Sequence, residues 1–337
     1  MKDLEALCLL NGTSGDEGSV RDFILSKLGD TEFVVDNLGN IIVEKKGKQK
    51  PKNKLMLSAH MDEVGVIITH IDENGFLSFS TVGGIDPKAL LGKRVRIGNV
   101  LGVIGTAPVH LSEDTAVMPK VDKMYIDIGA LNREDALKCV SPGDCGVFES
   151  EFVRFGDGFI KSKAIDDRVG CALLLELLEK ELPFDVSVCF LTREEIGLKG
   201  AACAAAGVKP DIALVLESTT SNDVCGVSGA DKVCALGEGP VISFMDRATL
   251  YDRGLYREAM HIAKANRLKA QTKTKIAGGN DASAIQIAGE GARVLAVSVP
   301  TRYIHSAVSV AKISDIESTA LLVEKLIQRF GNLENEA

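Results

Sequence analysis

A chain of 337 residues that is 45% hydrophobic has apolar material for one large core or two unequal ones. Its formal net charge of −8 excludes the basic footprint that non-specific nucleic-acid binding needs, and no apolar run reaches the ~18 residues of a membrane-spanning helix. Thirty-three glycines with four tyrosines and no tryptophan point to a compact α/β protein rich in tight turns.

The opening Met1-Lys2-Asp3-Leu4-Glu5 is charged and begins an amphipathic pattern, so it does not read as a signal peptide. A short helix is expected from Asp3 to Leu10, ending at the turn Asn11-Gly12-Thr13-Ser14-Gly15, and a second helix over 18–28. Phe33 to Lys46 alternates apolar and polar residues around Asn40, the pattern of a hairpin. Lys54 to Ala59 reads as a buried strand that delivers His60. From about 68 to 159 the texture changes to short strands separated by Gly75, Gly83-Gly84, Gly92, Gly98, Gly102 and Gly105, with one brief helix from Asn132 to Cys139. This stretch is expected to be a small β-rich domain inserted into an α/β domain made of residues 1–67 and 160–337.

Beyond 160 the α/β rhythm resumes. Asp167 to Leu182 carries Val169, Leu173, Leu174, Leu177 and Leu178 on one helical face. A strand from Asp185 to Leu191 leads to Glu194-Glu195, a helix from Gly200 to Ala206 follows, and a strand from Asp211 to Leu216 ends in Glu217. Helices are expected at Arg253 to Arg267 and Asp281 to Ile287, and a strand from Arg293 to Val299 leads to His305. Ser314 with Glu317 reads as the capping box of a last helix running to about Phe330, before a frayed tail from Asn332 to Ala337. The sum is a mixed central sheet flanked by helices, plus the insertion. The cysteines, Cys8, Cys139, Cys145, Cys171, Cys189, Cys203, Cys225 and Cys234, form no C-x-x-C pair and read as buried reduced thiols of a cytoplasmic protein.

Five motifs carry chemistry: His60-Met61-Asp62, Asp166-Asp167-Arg168, Glu194-Glu195, Glu217 and His305. Four follow apolar strand-like runs, and ligands of open α/β sheets gather beyond the carboxyl ends of the strands. Two histidines and several carboxylates arriving there suit divalent metal ions with nitrogen and oxygen ligands, Zn²⁺, Co²⁺ or Mn²⁺. Asp62, two residues after His60, is placed to accept from the far ring nitrogen of His60 and fix its tautomer. Asp166 and Asp167 also suit a helix N-terminus, and Arg168 is placed to pair with either. H-E-x-x-H, G-x-S-x-G and Walker A motifs are missing, and Gly278-Gly279-Asn280-Asp281 lacks a P-loop lysine.

Taken together, His60 to Gly65, Val82-Gly83-Gly84-Ile85-Asp86, Leu91-Gly92-Lys93-Arg94-Val95, Asp127-Ile128-Gly129-Ala130, Lys163 to Gly170, Glu194 to Ala201, Gly278 to Ala282 and Arg302 to Ser306 carry a resemblance nearly end to end. The chain resembles the glutamyl aminopeptidase / tetrahedral (TET) aminopeptidase family of di-metal exopeptidases. The resemblance implies two divalent metals bridged by Asp166, with His60 and Glu217 completing one site and Glu195 and His305 the other. It further implies Glu194 as general base toward a metal-bridging water, Asp62 as orienter of His60, and a cis peptide after Asp166. Peptides are the implied substrates, and the inserted domain the implied dimerisation domain, with dimers assembling into a tetrahedral dodecamer. Arg193 departs from the family's frequent glutamine and stands where it would alter the field at Glu194. The pocket for the substrate's first side chain is expected around Gly279 to Ser283 and Val227 to Asp231. Two other readings compete: a glycoside hydrolase of endoglucanase type, which leaves both histidines without work, and a metal-binding assembly protein with impaired catalysis.

Overall fold

The computed structural model describes residues 2–108 and 118–334. Four strands form a parallel centre in the order Val186–Leu191, Leu55–His60, Ile212–Thr220 and Arg293–Arg302. Outside Val186–Leu191, the hairpin of Phe33–Val35 and Ile41–Lys45 pairs antiparallel. Outside Arg293–Arg302 come Ser309–Lys312, Phe159–Ser162 and Val153–Phe155, also antiparallel. Two short strands, Val241–Ile242 and Gln271–Thr272, attach beside Arg293–Arg302 and complete a mixed sheet of 11 strands.

The central strands are apolar throughout because both their faces are covered. Leu55, Leu57, Ala59, Val188, Phe190, Leu214 and Leu216 alternate onto one face, against the helices Leu4–Leu9, Gly18–Leu28, Ile165–Leu178, Arg253–Ala265 and Ile313–Phe330. Met56, Cys189, Leu191, Ala213 and Val215 point the other way, toward Lys199–Val208 and Ala282–Gln286. All eight cysteines are free thiols, but only Cys8, Cys171, Cys189 and Cys234 are buried, and Cys139, Cys203 and Cys225 are exposed.

The inserted region closes into a six-stranded barrel made of Gly65–Ile71, Leu77–Val82, Met124–Asp127, Val100–Thr106, Arg94–Ile97 and Cys145–Phe148. It has its own core of Val66, Ile68, Leu77, Val95, Ile104 and Ile126. Val153–Phe155, within the stretch read as insertion, pairs with Phe159–Ser162 at its boundary and through it joins the main sheet. The last helix is not capped by Ser314. The strand Ser309–Lys312 runs straight into Ile313–Phe330, so Ser314 already lies in the first turn, and the helix has no side-chain cap. Asp315 instead accepts from the backbone of Gly237 and Gly239, at 2.7 and 2.9 Å. Of the tail expected from Asn332, residues 335–337 lie outside the described residues.

Candidate metal centre

The parallel register brings the first two groups together. Val215 pairs with Ser58, and two residues further on the same faces come Glu217 and His60. Glu217, expected to end its strand, lies inside it, because Ser218, Thr219 and Thr220 continue the ladder with Val299, Pro300 and Thr301. Glu194 and Glu195 leave the strand Val186–Leu191 through a turn in which Arg193 has a φ of 59°. Asn40 holds that turn: its side chain accepts from Thr192 N at 2.8 Å and donates to the Gly200 carbonyl at 3.0 Å. Only glycine fits at 200, since a Cβ would lie 2.3 Å from the Thr192 carbonyl oxygen. Asp166 and Asp167 stand at the irregular start of Ile165–Leu178, and the peptide between them is cis. His305 follows the strand Arg293–Arg302, on a loop where Tyr303 and His305 have φ of 59° and 58°.

These residues converge on one cleft of about 700 Å³. Asp166 is at its centre. Its Oδ1 lies 3.6 Å from His60 Nε2, and its Oδ2 lies 3.5 Å from His305 Nε2. Glu217 Oε2 is 3.8 Å from His60 Nε2, and Glu195 Oε1 is 3.3 Å from His305 Nε2. Each histidine thus presents Nε2 to two carboxylates and keeps Nδ1 for its support. His60 Nδ1 is 3.1 Å from the Asp62 carbonyl oxygen and 3.5 Å from the Asp62 carboxylate. His305 Nδ1 is 2.8 Å from the carbonyl oxygen of Gly84, which belongs to the barrel. The donor atoms of His60, Asp166 and Glu217 lie within 4.8 Å of one another, as do those of Asp166, Glu195 and His305. A third such group, His60 with Glu194 and Glu195, overlaps both.

The electrostatics match that crowding. Burial, reinforced by the neighbouring charges of Asp281, Glu195 and Asp166, pushes the Glu194 carboxyl well above its ordinary pKa. Burial does the same to Glu217, aided by Asp167, Glu194 and Asp166. For His60, burial opposes the charge, but Asp166 and Asp62 outweigh it and hold the imidazole well above its usual value. His305, against the same opposition, is lifted to about 11 by Asp166 and Glu195. Asp166 is held below the carboxylate range despite burial, because both histidines face it. Buried Glu217 Oε1 has no hydrogen-bond donor among the described residues. Carboxylates with too few counter-charges, beside imidazole nitrogens of fixed orientation, are a donor set that fits divalent cations.

Several expectations change. Arg168 pairs with neither aspartate. It is fully buried and donates to the carbonyls of Met61 at 2.7 Å and Leu7 at 2.5 Å, and to Glu63 at 3.2 Å. Lys163 Nζ shares the same Glu63 oxygen at 2.6 Å, a buried clamp beneath the His60 segment. Asp62 has partners besides His60. Its carboxylate also accepts from the backbone N–H of Glu194 and Glu195, at 3.0 and 3.1 Å, and from Ser14 Oγ. Arg193 does not line the cleft; its N–H donates to Glu17 at 3.1 Å. Gly279 and Asn280 do line it, whereas Val227–Asp231 do not. Sequence reasoning missed Ser14, Gly84, the Glu63 clamp, Asp246 and Lys273. Gly84 and the clamp partners Glu63 and Lys163 had a signal, since each stands in a stretch that carries the resemblance.

A family model described as M42 glutamyl aminopeptidase matches residues 39–322. The chain is 39% identical over 320 residues to a putative aminopeptidase of Acetivibrio thermocellus, covering 94% of each. It is 31% identical to a lysyl aminopeptidase of Pyrococcus furiosus, covering 96% of this chain and 95% of that one. Among solved structures it is similar to a TET aminopeptidase from a marine sediment archaeon of the Thaumarchaeota, with TM-score 0.94, 33% identity and coverage of 99% and 96%. It is also similar to the TET1 peptidase of Pyrococcus horikoshii, with TM-score 0.85, 35% identity and coverage of 97% and 98%. That peptidase is described as assembling into a tetrahedron or a large octahedral shell. A Thermotoga maritima protein described as an endoglucanase matches with TM-score 0.80, 34% identity and coverage of 96% and 98%.

Proposed function

The chain belongs to the M42 glutamyl aminopeptidase family and is a metallo-aminopeptidase; from that premise we propose that it removes residues from peptide N-termini at a centre of two divalent ions. His60 and Glu217 would hold one ion, Glu195 and His305 the other, and Asp166 would bridge them. The observation that carries this reading is Asp166, whose two oxygens face two different histidines at 3.6 and 3.5 Å. Zn²⁺, Co²⁺ and Mn²⁺ all suit the nitrogen and oxygen donors. When bound, such ions supply Lewis acidity to the scissile carbonyl and to the attacking water.

The protein's own groups do the rest. Glu194 lines the cleft and accepts the proton of the attacking water. From that position it can hold the proton and hand it to the leaving amine. Asp62 keeps Glu194 and Glu195 in place by gripping both their backbone amides. The acidic lining receives the substrate's free α-amino group and so confines cleavage to the chain end. The barrel serves as dimerisation domain, with exposed Leu101, Val103, Leu131 and Leu137 as its apolar surface, and dimers assemble further toward a dodecamer in the cytoplasm.

The endoglucanase description of one similar structure supports sugar hydrolysis as a second reading. Two carboxylates suffice for that chemistry, and the histidines facing Asp166 and Glu195 would have no part in it. One assay separates the readings: hydrolysis of aminoacyl-anilides with chelator, and with Co²⁺ restored. Metal-dependent release of the anilide is expected. Metal-independent sugar release, or silence with metals bound, would overturn it.

A further inference from the structure

The turn that carries Glu194 and Glu195 is held from outside the cleft, by a segment near the start of the chain. Among the described residues the Glu194 carboxylate has no hydrogen-bond partner, so its place in the cleft is inherited from the backbone of that turn. Three successive backbone N–H groups there are taken by carboxylates. Arg193 N donates to Glu17 Oε1 at 3.1 Å, Glu194 N to Asp62 Oδ1 at 3.0 Å and Glu195 N to Asp62 Oδ2 at 3.1 Å. Successive amides in a turn make a concavity for anions, and here two buried carboxylates of the protein itself fill it.

Both carboxylates are set by residues 12–17. Ser14 Oγ donates at 2.5 Å to Asp62 Oδ2, the same oxygen that accepts from Glu195 N. Ser14 is 6% exposed, so bulk water does not replace that donor. Asp62 Oδ1 lies 3.5 Å from His60 Nδ1, and without the hydroxyl the carboxylate is free to turn toward the imidazole and away from Glu195. Glu17 Oε1 accepts from Gly15 N at 2.7 Å as well as from Arg193 N, which fixes its rotamer. It thereby fixes Arg193, whose φ of 59° a non-glycine residue keeps only where its surroundings impose it. The segment is itself anchored. Glu63 N donates to the Gly12 carbonyl at 2.9 Å, Ser14 N to the Glu63 carbonyl at 3.3 Å, and Thr13 Oγ1 to the carbonyl of Gly146 in the barrel at 3.3 Å. Neither Ser14 nor Glu17 lines the cleft.

We propose that Ser14 and Glu17 are positioning residues for the hydrolysis: Ser14 acting through Asp62, and Glu17 acting directly on the Arg193 amide, together place Glu194 against the attacking water. This rests on the aminopeptidase reading above. The test is kcat and KM for an aminoacyl-anilide at saturating Co²⁺, with the natural protein, Ser14→Ala, Glu17→Ala and Glu17→Gln. Ser14→Ala should lower kcat about 10- to 100-fold, the loss expected from a displacement of about 1 Å at the reacting centre, with KM little changed. Glu17→Ala should act in the same direction, and Glu17→Gln, which keeps an acceptor oxygen, should recover most of that loss. Amide hydrogen exchange, read by mass spectrometry, follows the turn without any turnover. Exchange at residues 193–195 should speed up about tenfold or more in both alanine variants, with the central strands unchanged. A natural kcat in Ser14→Ala, a change in KM alone, or unchanged exchange at 193–195 overturns the proposal. So does faster exchange spread over the whole sheet with a matching fall in Tm, the result expected if both residues serve stability only. Faster exchange confined to the turn, in a protein that hydrolyses no anilide with metals bound, sinks the hydrolase reading and keeps the brace.

Discussion

The two halves of the proposed metal centre are built differently. The His60 half belongs to the sheet: His60 and Glu217 come from adjacent parallel strands, and the His60 side chain is 2% exposed. The His305 half belongs to a junction: His305 sits on a loop with positive φ, its side chain is 35% exposed, and its ring is held by the barrel's Gly84. Ala307, two residues on, is packed into the barrel core. One half is therefore fixed by the main core, while the other depends on how an inserted domain meets it. Stability and metal binding should be coupled strongly in the first half and weakly in the second.

The largest effect is expected where the halves meet. Glu194→Gln should lower turnover about a hundred- to ten-thousand-fold while leaving metal content near that of the parent, measured by mass spectrometry of bound ions. Next, His60→Ala and His305→Ala should both lose activity but part company in thermal unfolding. His60→Ala leaves buried Asp166 and Glu217 facing a void and should lower Tm by far more than His305→Ala. Equal Tm losses would erase the distinction between the halves.

Arg168→Met tests the support beneath the His60 half. It leaves Glu63 and the carbonyls of Met61 and Leu7 short of a donor in the interior, and about 3–5 kcal/mol of stability should be lost, read from denaturant unfolding. Gly83→Ala tests the other half more gently. A Cβ there, at a φ of 78°, would lie 2.8 Å from Val64 and 3.3 Å from the Glu195 side chain. It should weaken one metal site roughly tenfold, with a stability cost of about 1 kcal/mol; calorimetric metal titration resolves the two sites.

The smallest effect is the pH dependence of the chelator-treated protein. Glu194 and Glu217 have raised pKa values when folded, so the unfolded state gives up their protons first and stability falls as pH rises above the ordinary glutamate range. The histidines act in the same direction: with His305 at about 11 when folded, its contribution is complete below the unfolded histidine pKa and shrinks as pH rises past it. Tm without metal should therefore decline from mildly acidic to alkaline pH. The stabilisation on adding metal should widen over the same range, because ions replace protons.

Much of this was legible in the chain. Apolar runs bounded by glycine and charge mark the four parallel strands, and the 3.6-residue spacing of Val169, Leu173 and Leu177 marks the helix behind them. The side chains that converge were likewise visible, since metal-competent residues cluster where those runs stop. Local patterning determines such features because it is set by backbone periodicity and burial of one face. What it cannot determine is partnership. Arg168 is adjacent to two aspartates in sequence yet bonds Glu63 and distant carbonyls, since the interior satisfies a buried guanidinium wherever oxygens surround it. Glu217 reads as a strand end until its neighbour extends the ladder past it. Gly84 and Lys273 acquire meaning only through folding: one carbonyl fixes a histidine 221 residues away, and one lysine from a polar loop becomes a wall of the cleft. Local patterning is enough to show which chemical groups this protein owns and which strands carry them. Which of them face each other is settled in the folded molecule, because that depends on strand order, register and the docking of the barrel, and none of these leaves a periodic trace in the chain.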